Sequence, residues 1–236
     1  MKGPLDYGHR LPALLVPVLF LTSIFGCAGG PEPGGPVPGG AAGEEPSRQE
    51  EAMEEYQEVI PASAESDEGL FTVHRVDDQL FYEIPLDRLG REMLLQSRVA
   101  KTTEGIGFGG EQTDFSVVRW DRIGDQVLLR RLSYENVAPD SLPIYQAVQA
   151  SNFEPIVASF EVQAVSPDSS AVVVEVTELF TEDVPLLGLQ KSRRETFGVR
   201  RVAADRTFIL WARSYPTNVE VRRVLTYEAT DPPSNS

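Results

Sequence analysis

Residues 115–134, FSVVRWDRIGDQVLLRRLSY, decide the fold class of this 236-residue chain. Apolar and polar side chains alternate over 115–121 and again over 126–134, which is the pattern of a half-buried β-strand. Between these two segments lies Gly124-Asp125, a dipeptide that favours a tight turn. The stretch therefore predicts a β-hairpin.

The same pattern of strands and turns continues on both sides of this hairpin. Further strands are predicted at residues 70–76, 79–84, 93–100, 157–165, 171–177, 197–202, 207–214 and 219–227. One helical turn is expected over 85–90 and a short helix over 143–150. Strands at such regular spacing indicate a mainly β domain over 70–230, built as an antiparallel sandwich or curved sheet with one or two short helices. A polar tail, 231–236, follows it.

The N-terminus has the pattern of an export signal. Basic residues precede an apolar segment, 11–26, which is shorter than the roughly 20 residues of a membrane-spanning helix. Ile24 lies three residues before Cys27, the only cysteine, and a glycine lies directly before that cysteine. This arrangement predicts a lipoprotein signal peptide over 1–26, with Cys27 as the lipidated residue. The alternative is an ordinary signal peptide with an incidental cysteine.

Lipidation of Cys27 would make this an exported protein that is anchored in a membrane and faces the periplasm. Ala28, in place of an aspartate, resembles the pattern that directs lipoproteins to the outer membrane. Residues 27–69 are then expected to be a disordered leader, a flexible acidic tether rich in glycine, proline and glutamate. A short, marginal helix is expected within 47–60. The alternative is an acidic peptide that a partner recognises.

The charge of the chain excludes two classes of partner. Lysine and arginine number 21 against 36 aspartate and glutamate residues, which gives a net charge of −15. Most of this charge falls in 28–69, where eleven residues are acidic and one is basic. Because the chain offers no basic face, it is not expected to bind nucleic acid. For the same reason it is not expected to dock on anionic lipid headgroups.

Few residues are available for catalysis. His9 lies in the predicted signal peptide, so His74 is the one histidine of the mature chain, and we expect it to be a half-exposed structural residue of a strand. A catalytic zinc site takes two or three histidines. A serine nucleophile such as Ser133, Ser151 or Ser159 needs a histidine base. We therefore predict no catalytic residue, no metal site and no cofactor in this chain.

Two further motifs have structural interpretations. Residues 105–110, GIGFGG, satisfy a dinucleotide-binding pattern, but acidic residues and a strand follow them instead of a helix N-terminus. This predicts a loop. Glu178, Glu182 and Asp183 cluster near Phe180, where we expect a solvated turn. The alternative is a hydrolase that works through a pair of carboxylates.

Arginine and tryptophan recur on the predicted strands, and both residue types anchor protein interfaces. The residues that we predict as a domain-packing face are Arg119, Trp120, Arg130, Trp211 and Arg213. The alternative is that the arginines only pair with nearby acidic residues on the surface.

Several stretches of the chain resemble the N-terminal region of large bacterial zinc-dependent metallopeptidases, a region of unknown function that precedes the protease domain. They are LFTVH (70–74), FYEIP (81–85), LGREMLL (89–95), VRW (118–120), VLLR (127–130), PIVASF (155–160) and VEVTELF (174–180). The resemblance implies zinc for the catalytic domain of that family, which binds it through an H-E-x-x-H helix. This chain contains no such motif. No catalytic residue is therefore carried over.

The resemblance implies a lipid-anchored, non-catalytic accessory domain that packs on or orients a protease domain absent from this chain. Related peptidases would continue beyond 231–236, so we expect either a truncated product or a standalone relative without the protease. The expected partners are the membrane, through Cys27, and a peptidase domain or another envelope protein. The alternative functions are a standalone envelope scaffold or binding lipoprotein, and a carboxylate-based hydrolase.

Overall fold

The structure of the protein is a computed structural model that describes residues 48–233. In this part of the chain the α-helices are α1 (Arg48–Val59), α2 (Tyr145–Ser151), α3 (Thr177–Thr181) and α4 (Lys191–Phe197). The β-strands are β1 (Glu65–Asp67), β2 (Thr72–Val76), β3 (Gln79–Pro85), β4 (Glu92–Arg98), β5 (Gln112–Ile123), β6 (Gln126–Leu132), β7 (Ile156–Val165), β8 (Ala171–Glu175), β9 (Val199–Val202), β10 (Phe208–Tyr215), β11 (Asn218–Val224) and β12 (Tyr227–Ala229). Single 3₁₀ turns lie at Leu86–Arg88 and Ala204–Arg206.

Eight strands form one antiparallel sheet in the order β1-β2-β3-β8-β7-β6-β5-β4. β5 and β6 are the predicted hairpin, in which Ile123 lies opposite Gln126. The turn between them uses Gly124 at a φ of 61°, a conformation that glycine adopts without steric cost. Two further antiparallel pairs join β10 to β11 and β9 to β12. The prediction of a mainly β fold with an antiparallel sheet is confirmed.

The inner face of the sheet, which we define as the face that carries Trp120 and Leu129, holds the main core. The ring of Trp120 lies 5.5 Å from that of Phe160 and 6.1 Å from that of Phe71. Apolar side chains of α3, of residues 184–187 and of the β10–β11 hairpin pack over this face. Each fully buried aliphatic or phenyl side chain contributes about 1.5–3 kcal/mol, so this burial is the main force that holds the hairpin on the sheet.

The opposite, outer face carries a second, smaller core. Ile60, directly after α1, packs there with Phe81 of β3 and Val173 of β8. Tyr56 and Val59 of α1 cover the same three side chains. Towards β4, β5 and β6, the outer face instead retains exposed apolar side chains.

The structure differs from the sequence prediction at residues 48–69. A flexible tether with a short, marginal helix within 47–60 is predicted there. The helix is present as α1, but α1 and β1 are folded parts of the domain, and β1 pairs with β2. This segment buries little apolar surface in the domain, because α1 has no fully buried residue and Ile60 is its main anchor. Most of the residues of α1 are solvent-exposed. Because the helix has few apolar positions, its sequence does not distinguish a helix that packs on the domain from one that is surrounded by solvent.

The helix content is also higher than predicted. α1, the turn at Leu86–Arg88 and α2 correspond to the three expected helical segments, whereas α3 and α4 are additional. Both are short, with five and seven residues. Helices of this length are stabilised by tertiary packing more than by local propensity, which explains why the sequence does not indicate them.

Some of the predicted segments lie outside the described residues. These are the signal peptide over 1–26, the lipidated Cys27, the tether up to residue 47 and the last residues of the polar tail, 234–236. Within 48–233, no helix is both long and apolar enough to cross a membrane.

Candidate functional site

The outer face of β5 and β6 brings two arginines together. The antiparallel register places Arg119 of β5 directly opposite Arg130 of β6. Arg119 donates to both oxygens of Asp121, at 2.8 Å from Nε and 3.0 Å from Nη2. Arg130 Nε lies 3.1 Å from the same carboxylate. Like charges that would repel one another are thus held side by side by one shared anion.

A second acidic residue closes this network from the segment before β7. Arg119 donates to Oε1 of Glu154 at 3.1 Å and also bonds Oε2. Arg130 donates from Nη1 to the backbone carbonyl of Glu154 at 3.0 Å. The bonds to Asp121 and Glu154 raise the pKa of the Arg119 guanidinium. The two guanidinium groups are therefore fixed in place, and the network of two cations and two carboxylates is electrically neutral.

Exposed apolar side chains lie on the same face of the sheet as this network, and one of them contacts it. Phe153 is 75% exposed, and the guanidinium of Arg130 lies 5.4 Å from the centroid of its ring, a cation–π contact. Leu94 of β4 is 67% exposed, and Phe115 of β5 is 54% exposed. We call this surface, composed of Leu94, Phe115, Arg119, Arg130 and Phe153, the arginine–aromatic face. Its residue types are those that anchor interfaces between folded proteins.

The residues of the predicted packing face are distributed over three places. Arg119 and Arg130 lie together on the arginine–aromatic face. Trp120 is 5% exposed in the main core, so its assignment to an interface is wrong. The reason is geometric, since successive side chains of a strand point to opposite faces. Trp211 and Arg213 lie on β10, where the Arg213 guanidinium is 5.5 Å from the Trp211 ring.

Three residues of this face were not identified from the sequence. Phe115 occupies the same side of β5 as Arg119, so strand alternation could have identified it. Leu94 could have been found in the same way, because β4 pairs with β5. Phe153 comes from the irregular segment before β7 and reaches the arginines only through tertiary structure, for which the local sequence carries no signal.

His74 is buried, which differs from the half-exposed histidine that the sequence predicts. Its Nδ1 lies 2.7 Å from Oγ of Ser66, and its Nε2 lies 3.0 Å from Oε2 of Glu83. The hydroxyl of Tyr56 donates to the same Glu83 oxygen at 2.6 Å. The hydrogen bond from His74 lowers the pKa of the Glu83 carboxyl. Because both ring nitrogens have partners, this histidine ties α1 and β1 to β2 and β3.

The predicted acidic cluster is divided in the structure. Glu178 and Glu182 line an open groove of about 410 Å³, together with Glu161 and Glu175 of β7 and β8. Asp183 instead bonds the guanidinium of Arg194 on α4. Within residues 48–233, no group of three or more His, Cys, Asp or Glu side chains is placed to hold a metal ion.

The glycine-rich segment 105–110 lies in the loop between β4 and β5, as predicted. Arg193 of α4 bonds the carbonyl of Ile106 in this loop and pairs with Glu111, which lies 3.1 Å away. The loop is followed by β5, and Arg193, the cation that contacts it, is already paired with Glu111. Neither feature is that of a phosphate-binding turn.

Comparison with known proteins identifies two family models, both described as domains of unknown function. The model of DUF5118 matches residues 53–102, which include most of α1 and the strands β1 to β4. The model of DUF5117 matches residues 110–236, more than half of the chain. The two segments share one sheet, because β3 pairs with β8 and β4 with β5. No curated protein and no solved structure matches the chain. The chain thus belongs to the family of the domain of unknown function DUF5117, preceded by a DUF5118 segment.

Proposed function

We propose that this chain is a non-catalytic accessory domain that packs, through its arginine–aromatic face, on the catalytic domain of a zinc-dependent metallopeptidase. The observation that carries the proposal is the exposure of Phe153 and Leu94 beside guanidinium groups that are already fixed. Binding of a partner to this face would bury apolar area without first ordering long, mobile arginine side chains, which lowers the entropic cost of association.

The choice of partner rests on the resemblance of the chain to the N-terminal region of zinc metallopeptidases. The accessory role is consistent with the position of His74, the one histidine of residues 48–233, whose ring nitrogens are both hydrogen-bonded inside the domain. The catalytic zinc of such a pair would belong to the peptidase domain.

We further propose that the chain is exported and held at the outer membrane by acyl chains on Cys27, as the signal pattern over 1–26 indicates. The measurement is incorporation of a labelled fatty acid into the full chain in bacterial cells. Label should enter the unaltered chain and be absent from the Cys27→Ser variant. A chain that is secreted without label would contradict the anchor.

Binding to a purified H-E-x-x-H metallopeptidase domain from the same genome tests the accessory role. We expect Phe153→Ser to weaken that binding by about tenfold or more, because a central aromatic anchor is lost. Phe208→Ser is the matched control, since Phe208 is half-exposed on β10, away from the arginine–aromatic face. Equal affinities for both variants and the unaltered chain would contradict the assignment of this face.

The competing hydrolase is tested with the same preparation. The chain alone is incubated with peptide and glycoside substrates, with and without zinc, and Glu178→Gln removes one carboxylate of the acidic groove. The accessory role predicts no turnover by the chain alone. Turnover that disappears in the Glu178→Gln variant would establish carboxylate chemistry instead.

A further inference from the structure

The two edges of the eight-stranded sheet differ in how they are protected. β1 forms one edge, has three residues, and carries two acidic side chains, Glu65 and Asp67. Short length and charged side chains are common means of preventing an edge strand from pairing with another chain. β4 forms the other edge, with seven residues and the exposed Leu94 near its centre. It is therefore longer than β1, and its two charged residues, Glu92 and Arg98, carry opposite charges.

In the described part of the chain, β4 is paired with a neighbouring strand along only one of its two edges. In residues 48–233, its sheet partner is β5, and it is the last strand of the order. Every second residue of such a strand directs its N–H and C=O groups away from the sheet. Met93 and Leu95, whose side chains belong to the main core, are only partly buried, as expected at an open edge.

The charges of β4 are arranged for pairing with a second copy of itself. Glu92 lies at one end of the strand and Arg98 at the other, and both side chains are exposed. An antiparallel pairing with its two-fold axis at Leu95 places Glu92 of each copy opposite Arg98 of the other. The two ion pairs are equivalent by symmetry, which is the self-complementarity that an isologous interface requires.

Antiparallel pairing of β1 with a second copy of itself would give the opposite arrangement of charges. A two-fold axis at Ser66 would place Glu65 of one copy opposite Asp67 of the other, so that like charges face each other twice. Directly opposed like charges destabilise a strand pair. Charge therefore selects β4, and not β1, as the edge at which two copies can join.

We propose that two copies of this chain associate through β4 and form a continuous sixteen-stranded antiparallel sheet. Leu94 of each copy lies beside the polar Gln96 of the other, so the pairing depends on backbone hydrogen bonds and charge. The proposal does not rest on the peptidase partner.

Charge exchange tests this proposal in the full chain with Cys27→Ser, which removes acylation. Sedimentation equilibrium measures the oligomeric state up to about 100 μM, where micromolar dissociation constants are detected. Glu92→Arg and Arg98→Glu should each weaken the dimer about tenfold or more, because like charges then meet twice. The double variant should regain most of the affinity. Glu135→Arg and Arg200→Glu, at exposed positions outside β4, are the matched controls.

The register is tested independently by cysteine crosslinking. In the same background, Leu95→Cys places two thiols across the two-fold axis, within the distance of about 4.4–6.8 Å between Cα atoms that a disulfide requires. Ser97→Cys places them beyond it, because residue 97 then lies opposite residue 93 of the second copy. We expect a dimeric disulfide for Leu95→Cys alone. A monomeric unaltered chain, or equal weakening by the single and double charge variants, would overturn the proposal.

Discussion

Arg119 and Arg130 lie directly opposite each other on β5 and β6, and both bond the carboxylate of Asp121. Replacement of this aspartate by alanine would leave two partly buried guanidinium groups side by side without their shared anion. We expect Asp121→Ala to lower the free energy of unfolding by about 1.5–3 kcal/mol, the range for hydrogen bonds to charged groups. Urea denaturation measures this loss.

Asp140→Ala is the control for that variant, since Asp140 is exposed in the loop before α2. It should change the free energy of unfolding by less than about 0.5 kcal/mol. If both variants have the same urea midpoint, the Arg119–Asp121–Arg130 network does not stabilise the fold, and the arginines are held by other contacts.

The two tryptophans should respond differently to truncation. Trp120 is buried among Phe71 and Phe160, so Trp120→Ala should cost about 3–5 kcal/mol of stability. Trp211 is only partly buried on β10, and Trp211→Ala should cost less stability than Trp120→Ala. Fluorescence gives a second measurement. The Trp211→Phe variant, which retains the buried Trp120, should emit at shorter wavelength than the Trp120→Phe variant. The reverse order would contradict the placement of Trp120 in the core.

Most of the strands could be predicted because each is bounded by a local turn. The segment 126–134 corresponds to β6, Gln126–Leu132, since Gly124-Asp125 and the apolar alternation act over a few residues. The order of the strands could not be predicted in this way. β3 pairs with β8 about ninety residues later, and such pairing depends on tertiary packing that no local pattern records.

The candidate site could be predicted only in part, for the same reason. The proximity of Arg119 and Arg130 follows from the register of a hairpin, which is set by its turn. Alternation along the strand also implies that Trp120 points to the face opposite to that of Arg119. The sequence alone could therefore have shown that Trp120 does not belong to the same packing face as Arg119. Glu154 and Phe153 join the site through the connection between β6 and β7, whose path is fixed by tertiary contacts.

The stability of the domain should depend on pH through Glu83. His74 and Tyr56 bond its carboxylate and lower its pKa below the usual value of 4.5. A lowered folded-state pKa means that the stabilisation is present above about pH 4.5 and is lost as the pH falls through the folded value. Urea midpoints between pH 7 and pH 3 should therefore decrease more steeply for the unaltered chain than for Glu83→Gln.

Glu51→Gln, on the exposed side of α1, is the control for this experiment and should retain the steep dependence. Glu83→Gln should also be less stable at pH 7, because a neutral amide cannot replace the charged acceptor. Parallel pH profiles for the unaltered chain and Glu83→Gln would show that the bonds from His74 and Tyr56 do not favour the ionised carboxylate.

Gly198 and Gly124 allow backbone strain to be separated from a steric clash. Both have positive φ, 57° and 61°, which costs a non-glycine residue about 1–2 kcal/mol. A Cβ at position 124 would meet no atom within 4 Å, whereas one at 198 would collide with the hydroxyl of Thr230. Gly124→Ala should therefore show the strain alone, and Gly198→Ala a larger loss of stability. Adding Thr230→Ala removes the colliding hydroxyl and should recover the difference in a double-mutant cycle. If Thr230→Ala recovers nothing, Gly198, directly after α4, is not packed against Thr230 in this way.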